Sequence, residues 1–212
     1  MADRTIHVLT PATSLDFLTL AECKTLLGIT ATSPTTDAQL QMFIDINSAS
    51  VMRLCNRIFA RETVNEIWRD IGDRRLFLSH WPVVASDITS VTETDGAVTV
   101  DPADYELEEN SGKLTRLNAA AWQEPVSVTY TGGYSLPDDA PLPLKQATVL
   151  MVRDFKFAMS VEAVSGIRSI QYRDRKVDFV DPIRLLTARL GGGTGVNPAV
   201  DALLSHYTRL EV

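Results

Sequence analysis

The side chains that could do metal or covalent chemistry are few, and their spacing does not assemble them. His7, His80 and His206 stand in three unrelated contexts, none with a second ligand at the interval that places two metal-binding groups on one face. Cys23 and Cys55 fall within helical patterns, with no CxxC and no nearby His pair, so they read as small buried hydrophobes. Serines are plentiful, but no Gly-x-Ser-x-Gly elbow exists, and Ser111-Gly and Ser165-Gly read as turns. Gly191-Gly-Gly-Thr-Gly195 lacks the Lys-Ser/Thr of a phosphate loop and follows no strand, which makes it a linker. Asp138-Asp139, Glu108-Glu109 and Asp101/Asp104 read as solvated turn charges, with a carboxylate metal cluster as the competing reading. Trp68, Trp81 and Trp122 read as core packing before ligand stacking. One local basic patch, Arg168, Arg173, Arg175 and Lys176, is a candidate contact for DNA or an acidic partner, against the plainer reading of a solvated loop. No enzyme constellation emerges, and neither a cofactor nor a metal is expected.

The bulk numbers narrow the classes further. The 212 residues are 45% hydrophobic and 22% charged, enough for one domain with a real core or a domain with an appended lobe. No apolar run approaches the roughly 20 residues that cross a bilayer. The N-terminus lacks a basic-then-apolar leader pattern, so a soluble, cytoplasm-made protein with no membrane partner is expected. The net charge of −7 argues against a tight grip on nucleic acid, whose phosphates call for a basic excess.

The elements are organised around Val126-Ser-Val-Thr-Tyr-Thr-Gly-Gly-Tyr134, where strand alternation stops at paired glycines. Beyond it, Pro137 to Pro143 hold the chain extended until a helix starts. Leu144, Ala147, Leu150, Met151, Phe155 and Ala158 then recur at helical spacing. Upstream, Thr19 and Glu22 have capping-box spacing for a short helix ended by Gly28. Thr36-Asp-Ala-Gln39 has the same spacing for the longest helix, read through Phe59, with Arg53 and Arg57 set against its negative end in preference to a phosphate-binding role. From Arg61 to Tyr130 the period is two, with turns at Asp95-Gly96 and Asn110-Ser-Gly112. Residues 1–18 show little periodicity. Asp181-Pro182 reads as the start of a short helix reaching Leu190. The last helix, from Pro198, carries Val200, Leu203, Leu204, Tyr207 and Leu210 on one stripe, which must be buried on this chain or another.

The predicted fold is therefore α+β: a small helical bundle core (residues 19–60 and 140–160), an inserted antiparallel β lobe (61–135), an irregular or flexible segment (161–197) and a tethered C-terminal helix (198–212). The joint at Gly132–Pro143 returns the chain from the lobe to pack Leu144–Ala158 on the long helix.

Taken in order, the residues carry a family likeness. Leu18-Thr-Leu-Ala-Glu-Cys-Lys-Thr-Leu-Leu-Gly28 precedes an Asp-led helix ending Cys55-Asn-Arg-Ile-Phe59. Leu76-Phe-Leu-Ser-His-Trp-Pro-Val83, Gly112-Lys-Leu114 and Val128-Thr-Tyr-Thr-Gly-Gly-Tyr134 follow, then Leu144-Lys-Gln-Ala147 and Leu203-Leu-Ser-His-Tyr-Thr-Arg209. Over nearly its whole length the chain resembles the head–tail connector (adaptor) proteins of tailed bacteriophages and gene-transfer particles. Its Asp181–Gly195 segment is longer than that pattern expects.

The resemblance implies a structural, non-enzymatic adaptor at the head–tail junction of a virion assembled in the host cytoplasm. It implies a ring of this chain, of twelve copies, between the portal protein and a stopper or tail-terminal protein, with genomic DNA passing through the lumen. Val200, Leu203, Leu204, Tyr207 and Leu210 would then dock on a neighbour or the portal. The competing readings are another tail-completion protein of the virion, and a small ligand-binding or enzymatic domain with its site near Trp81 and Trp122.

Overall fold

A computed structural model of the chain describes residues 3–30, 33–69, 71–117, 121–162, 169–172, 175–178 and 197–208. It is α+β, as the periodicities predict, and its contacts divide it into two compact units. The β unit comprises Met1–Leu15 and Met52–Ala140, and the helical unit comprises Asp16–Val51 and Pro141–Thr208.

In the helical unit, α1 (Leu20–Leu27) has both halves of its capping box: Thr19 accepts from the Glu22 N–H, and Glu22 reaches back to the Thr19 N–H. Gly28 closes it in the left-handed region at φ 67°. The long helix α2 runs from Pro34 to Leu54 and so differs from the expected span at both ends. It starts three residues early because Pro34 suits a first turn, where a missing N–H costs nothing, and the Ser33 carbonyl accepts from the Asp37 N–H. It stops before Phe59 because Asn56 turns left-handed, at φ 48°. The third helix, α3 (Leu142–Glu162), follows the proline-rich joint. Leu18, Cys23, Leu40, Ile44, Val149 and Val152 form one apolar cluster, and Phe43 meets Phe155 edge to face at 5.1 Å. The expected packing of Leu144–Ala158 on the long helix is thus seen between α2 and α3.

The last helix, α4 (Pro198–Leu204), is capped by Asn197 and lies against α3. A hydrogen bond from Asn197 to Asp154 ties the two at 3.2 Å. This unit also carries a hairpin of β9 (Ser169–Tyr172) and β10 (Arg175–Asp178).

The β unit holds the strands expected between 61 and 135 and one that was not. The five-stranded sheet has the order β1-β2-β8-β4-β5 and the three-stranded sheet the order β3-β7-β6, every pair antiparallel. These strands are β1 (Asp3–Thr10), β2 (Glu62–Arg69), β3 (Arg75–Phe77), β4 (Ile88–Glu93), β5 (Val98–Thr99), β6 (Tyr105–Glu108), β7 (Lys113–Arg116) and β8 (Val126–Gly132). Strand β1 was invisible to periodicity because it is an edge strand exposed on both faces, held by backbone pairing to β2. Alternation cannot mark a strand that has no buried face. Within the stretch of period two, Trp81-Pro-Val-Val84 is irregular and not a strand. Leu78 and Val83 donate to carbonyls of the β6–β7 turn, and the Trp81–Pro82 bond is cis. Val64, Trp68, Leu76, Leu78, Leu114, Trp122, Val126 and Val128 fill the core of this unit.

Candidate functional site

The densest polar chemistry lies inside the β unit and grows out of β2. Its burial alternates strictly, with Glu62, Val64, Glu66 and Trp68 inward. Two carboxylates therefore share the buried face with a valine and a tryptophan. Both are satisfied. Glu66 Oε1 accepts from the Tyr130 hydroxyl at 2.5 Å and from the Ser79 N–H at 2.9 Å, and the His80 N–H donates to the Tyr130 oxygen at 3.0 Å. His80 Nε2 lies 3.2 Å from Glu62 Oε2, while Glu62 Oε1 accepts from the Ala12 N–H at 3.1 Å. His80 Nδ1 stands 4.0 Å from Glu66, too far for a direct bond.

Burial alone would push the Glu66 carboxyl up. The neighbouring His80, the Tyr130 hydroxyl and the Ser79 N–H, with the charge of Arg4, outweigh burial and hold it below the usual carboxylate range. The Tyr130 phenol is driven up, by burial first and then by the Glu66 charge, so it stays protonated and donates. In composition this is a relay, but its bonds are spent on holding one another and the backbone, and His80 is fully buried with its Nδ1 lacking a hydrogen-bond partner among the described residues. What it accomplishes is satisfaction of backbone N–H groups at residues 12, 79 and 80, three positions outside the ladders of the sheets. We describe it as a lock.

The sequence landmarks around the lock are packing solutions. A Cβ on Gly132 would sit 2.2 Å from the His80 carbonyl oxygen, and one on Gly133, at φ 103°, would sit 2.4 Å from that of Ala60. The two glycines let β8 pass directly under Leu78–Val83 and Phe59–Ala60, and the Tyr134 N–H donates to the Phe59 carbonyl at 2.7 Å. Arg57 is not on the helix where its charge was expected to meet the negative end. It is 5% exposed, its guanidinium lies over the Trp81 and Phe59 rings, and it donates to the Trp81 carbonyl.

The other sequence candidates are dispersed. His7 and His206 are exposed, and no group of three metal-binding side chains exists among the described residues. Cys23 and Cys55 are buried and not disulfide-bonded. Trp122 is buried with its Nε1 donating to the Arg74 carbonyl at 2.9 Å, and Trp81 is held between Arg57 and Gly112. On α4, Val200 and Leu204 are buried in this chain, Leu203 and Tyr207 are half-buried, and Leu210 lies outside the described residues. Arg175 and Lys176 belong to β10. Arg168, Arg173, the expected helix from Asp181 and the Gly191–Gly195 linker lie outside the described residues.

Sequence reasoning missed Glu62 and Glu66. Their parity with Val64 and Trp68 was the available signal. It also missed a charge segregation within the β unit. Residues 76–112 contain no Lys or Arg and eight carboxylates, while residues 46–61 contain three arginines and no carboxylate. Arg4, Ile6, Arg53, Arg57, Ile58 and His80 line a shallow groove between β1 and the turn after α2.

The head completion protein family matches residues 16–185. No curated protein matches. Among solved structures, a chain in the neck of an empty gene transfer agent particle, computed with C6 symmetry, is similar with a TM-score of 0.59 at 15% identity, covering 98% of this chain and 97% of that one. A chain in the neck of the native particle, computed with C12 symmetry, gives 0.56 at 16% identity, with 98% and 97% covered. A chain in the virion of the native particle gives 0.56 at 15% identity, with 98% and 96% covered.

Proposed function

The chain belongs to the head completion protein family, and from that premise we propose that it is a structural adaptor of a phage-like neck, assembled as a ring between the portal and the tail-side stopper. The observation that carries this reading is the fold shared, over 98% of the chain, with chains in gene transfer agent necks, one of them computed with C12 symmetry. Twelve copies is the proposed number. The family match also sits well with the head–tail connector likeness of the sequence.

The mechanism is binding and passage. The acidic chain suits a lumen through which DNA slides, because it offers the phosphates no excess of cations to hold them. Docking on the portal or a neighbouring copy uses the exposed parts of α4. Leu203 and Tyr207 remain partly open, whereas Val200 and Leu204 would reach a partner only if the helix left α3. The patch Arg168, Arg173, Arg175 and Lys176 is proposed to contact DNA or an acidic partner.

Electron microscopy of particles from a host lacking this gene tests the reading. The expected result is DNA-filled heads without attached tails, restored by the full-length protein. Normal tailed particles without the protein would sink it. Leu203→Asp with Tyr207→Asp should cut tail attachment while leaving the isolated protein folded.

A further inference from the structure

The two open edges of the five-stranded sheet are electrostatic opposites. On the β1 side lie Arg4, Arg53 and Arg57, with Ile6 and Ile58 as apolar lips 37% and 41% exposed. On the β5 side lie Asp95 in the β4–β5 turn and Asp101 just past β5, and Glu106 follows on β6 of the three-stranded sheet, all exposed. Four other carboxylates of this stretch are matched within the chain, Asp87 by Arg61, Glu93 and Asp104 by Arg116, and Glu108 by Lys113, and Glu109 is not matched among the described residues. Asp95, Asp101 and Glu106 have no ion pair among the described residues, and neither has Arg53. Four strand spacings separate β1 from β5, about 19 Å, well beyond the ~8 Å over which exposed charges act at physiological salt. The patches therefore cannot neutralise each other within one copy.

We propose that the groove receives the acidic β5 side of a second copy, so that neighbouring copies in the ring meet head to tail, β1 side against β5 side. The inference rests on the ring assembly proposed above. A head-to-tail ring needs two different, complementary faces on each copy, and these are two such faces on one compact unit. Strand β1 adds eight residues of open edge to the receiving side. A passing duplex is a poorer occupant. Arg57 is 5% exposed and sits over the Trp81 ring, and Arg4 is half-buried with one guanidinium nitrogen enclosed, so of the three only Arg53 stands fully open to a phosphate backbone. A slender carboxylate side chain on a protruding turn can enter between the apolar lips.

Charge reversal tests this in particles carrying the full-length protein. Arg53→Glu alone, and Asp95→Lys with Asp101→Lys and Glu106→Lys, should each lower tailed-particle yield about tenfold or more, since each places like charges across the contact. The combined reversal should recover most of that yield. In particles carrying the conservative Arg53→Lys, carbodiimide should join position 53 to position 95, 101 or 106 of another copy. Unchanged melting temperatures of the isolated variants separate assembly from folding. A combined variant no better than the single reversals, or a cross-link from position 53 to a different protein, would overturn the proposal. Wild-type necks that contain no ring of this chain would instead remove the assembly reading on which it rests.

Discussion

The two units bury polar atoms by different means. In the helical unit Asn47 and Thr148 turn back on local backbone, donating to the Phe43 and Leu144 carbonyls. Ser48 accepts from the Phe17 N–H and so anchors the chain entering α1. In the β unit, ionisable groups sit in the core and satisfy backbone that no ladder reaches. The difference follows from geometry. A helix closes its own hydrogen bonds and leaves only its ends to be capped. A lobe of short strands and irregular crossings leaves N–H groups pointing inward, and side chains must answer them.

The contrast can be broken most sharply at glycines. Gly132→Ala should destabilise by at least about 4 kcal/mol or prevent folding, because its Cβ would meet backbone oxygen that cannot move aside. Gly28→Ala has open space and only its φ of 67° to oppose it, so about 1 kcal/mol is expected. Urea titration of both variants checks the ranking, and equal losses would refute it.

Next in size, Ile44→Ala in the apolar helical core should cost about 2–5 kcal/mol with no added pH dependence. Glu66→Gln in the lock should cost about 1–3 kcal/mol near neutral pH, and it should change the acid limb. The Glu66 carboxyl is lowered in the folded state from its ordinary 4.5. Its stabilisation is thus present above about pH 4.5 and is lost as pH falls through the lower folded value. The glutamine variant should therefore show a shallower loss of stability in acid than the wild type. Superimposable acid limbs would remove the charge from the account of the lock.

The smallest expected effect is at the cap of α1, where Thr19→Ala should cost about 1 kcal/mol, read as a shift in melting temperature. A loss as large as that of Ile44→Ala would mean that the cap also holds tertiary structure.

Legibility in the sequence followed the same division. Helix α1 could be read residue by residue, since cap, stripe and terminal glycine are all local signals. Helix α2 was placed correctly in its middle and wrongly at both ends. Pro34 and Asn56 decide those ends through backbone angles that a competing capping-box spacing concealed. The central strands were visible by alternation, whereas β1 was not, because its partner supplies hydrogen bonds rather than a buried face. Of the lock, only the parity of Glu62 and Glu66 was in view; that both would meet His80 depends on a crossing of segments 14 to 18 residues apart. Arg57 looked like a helix-end charge and is a buried ring partner, which no spacing rule anticipates.

By itself the sequence determined what depends on near neighbours along the chain: the α+β class, the helical stripes, the caps, the turn glycines, and the contrast between the arginines of residues 46–61 and the carboxylates of residues 76–112. It also carried enough ordered landmarks to point to the head–tail connector likeness. Tertiary structure alone decided that α4 lies on α3, that Gly132 and Gly133 serve close approach as well as a turn, and that two glutamates, a histidine and a tyrosine share one buried site. The physical reason is common to all three. Each is a contact between segments far apart in sequence, and its sign is set by which backbone groups remain unpaired once the strands and helices have satisfied their own.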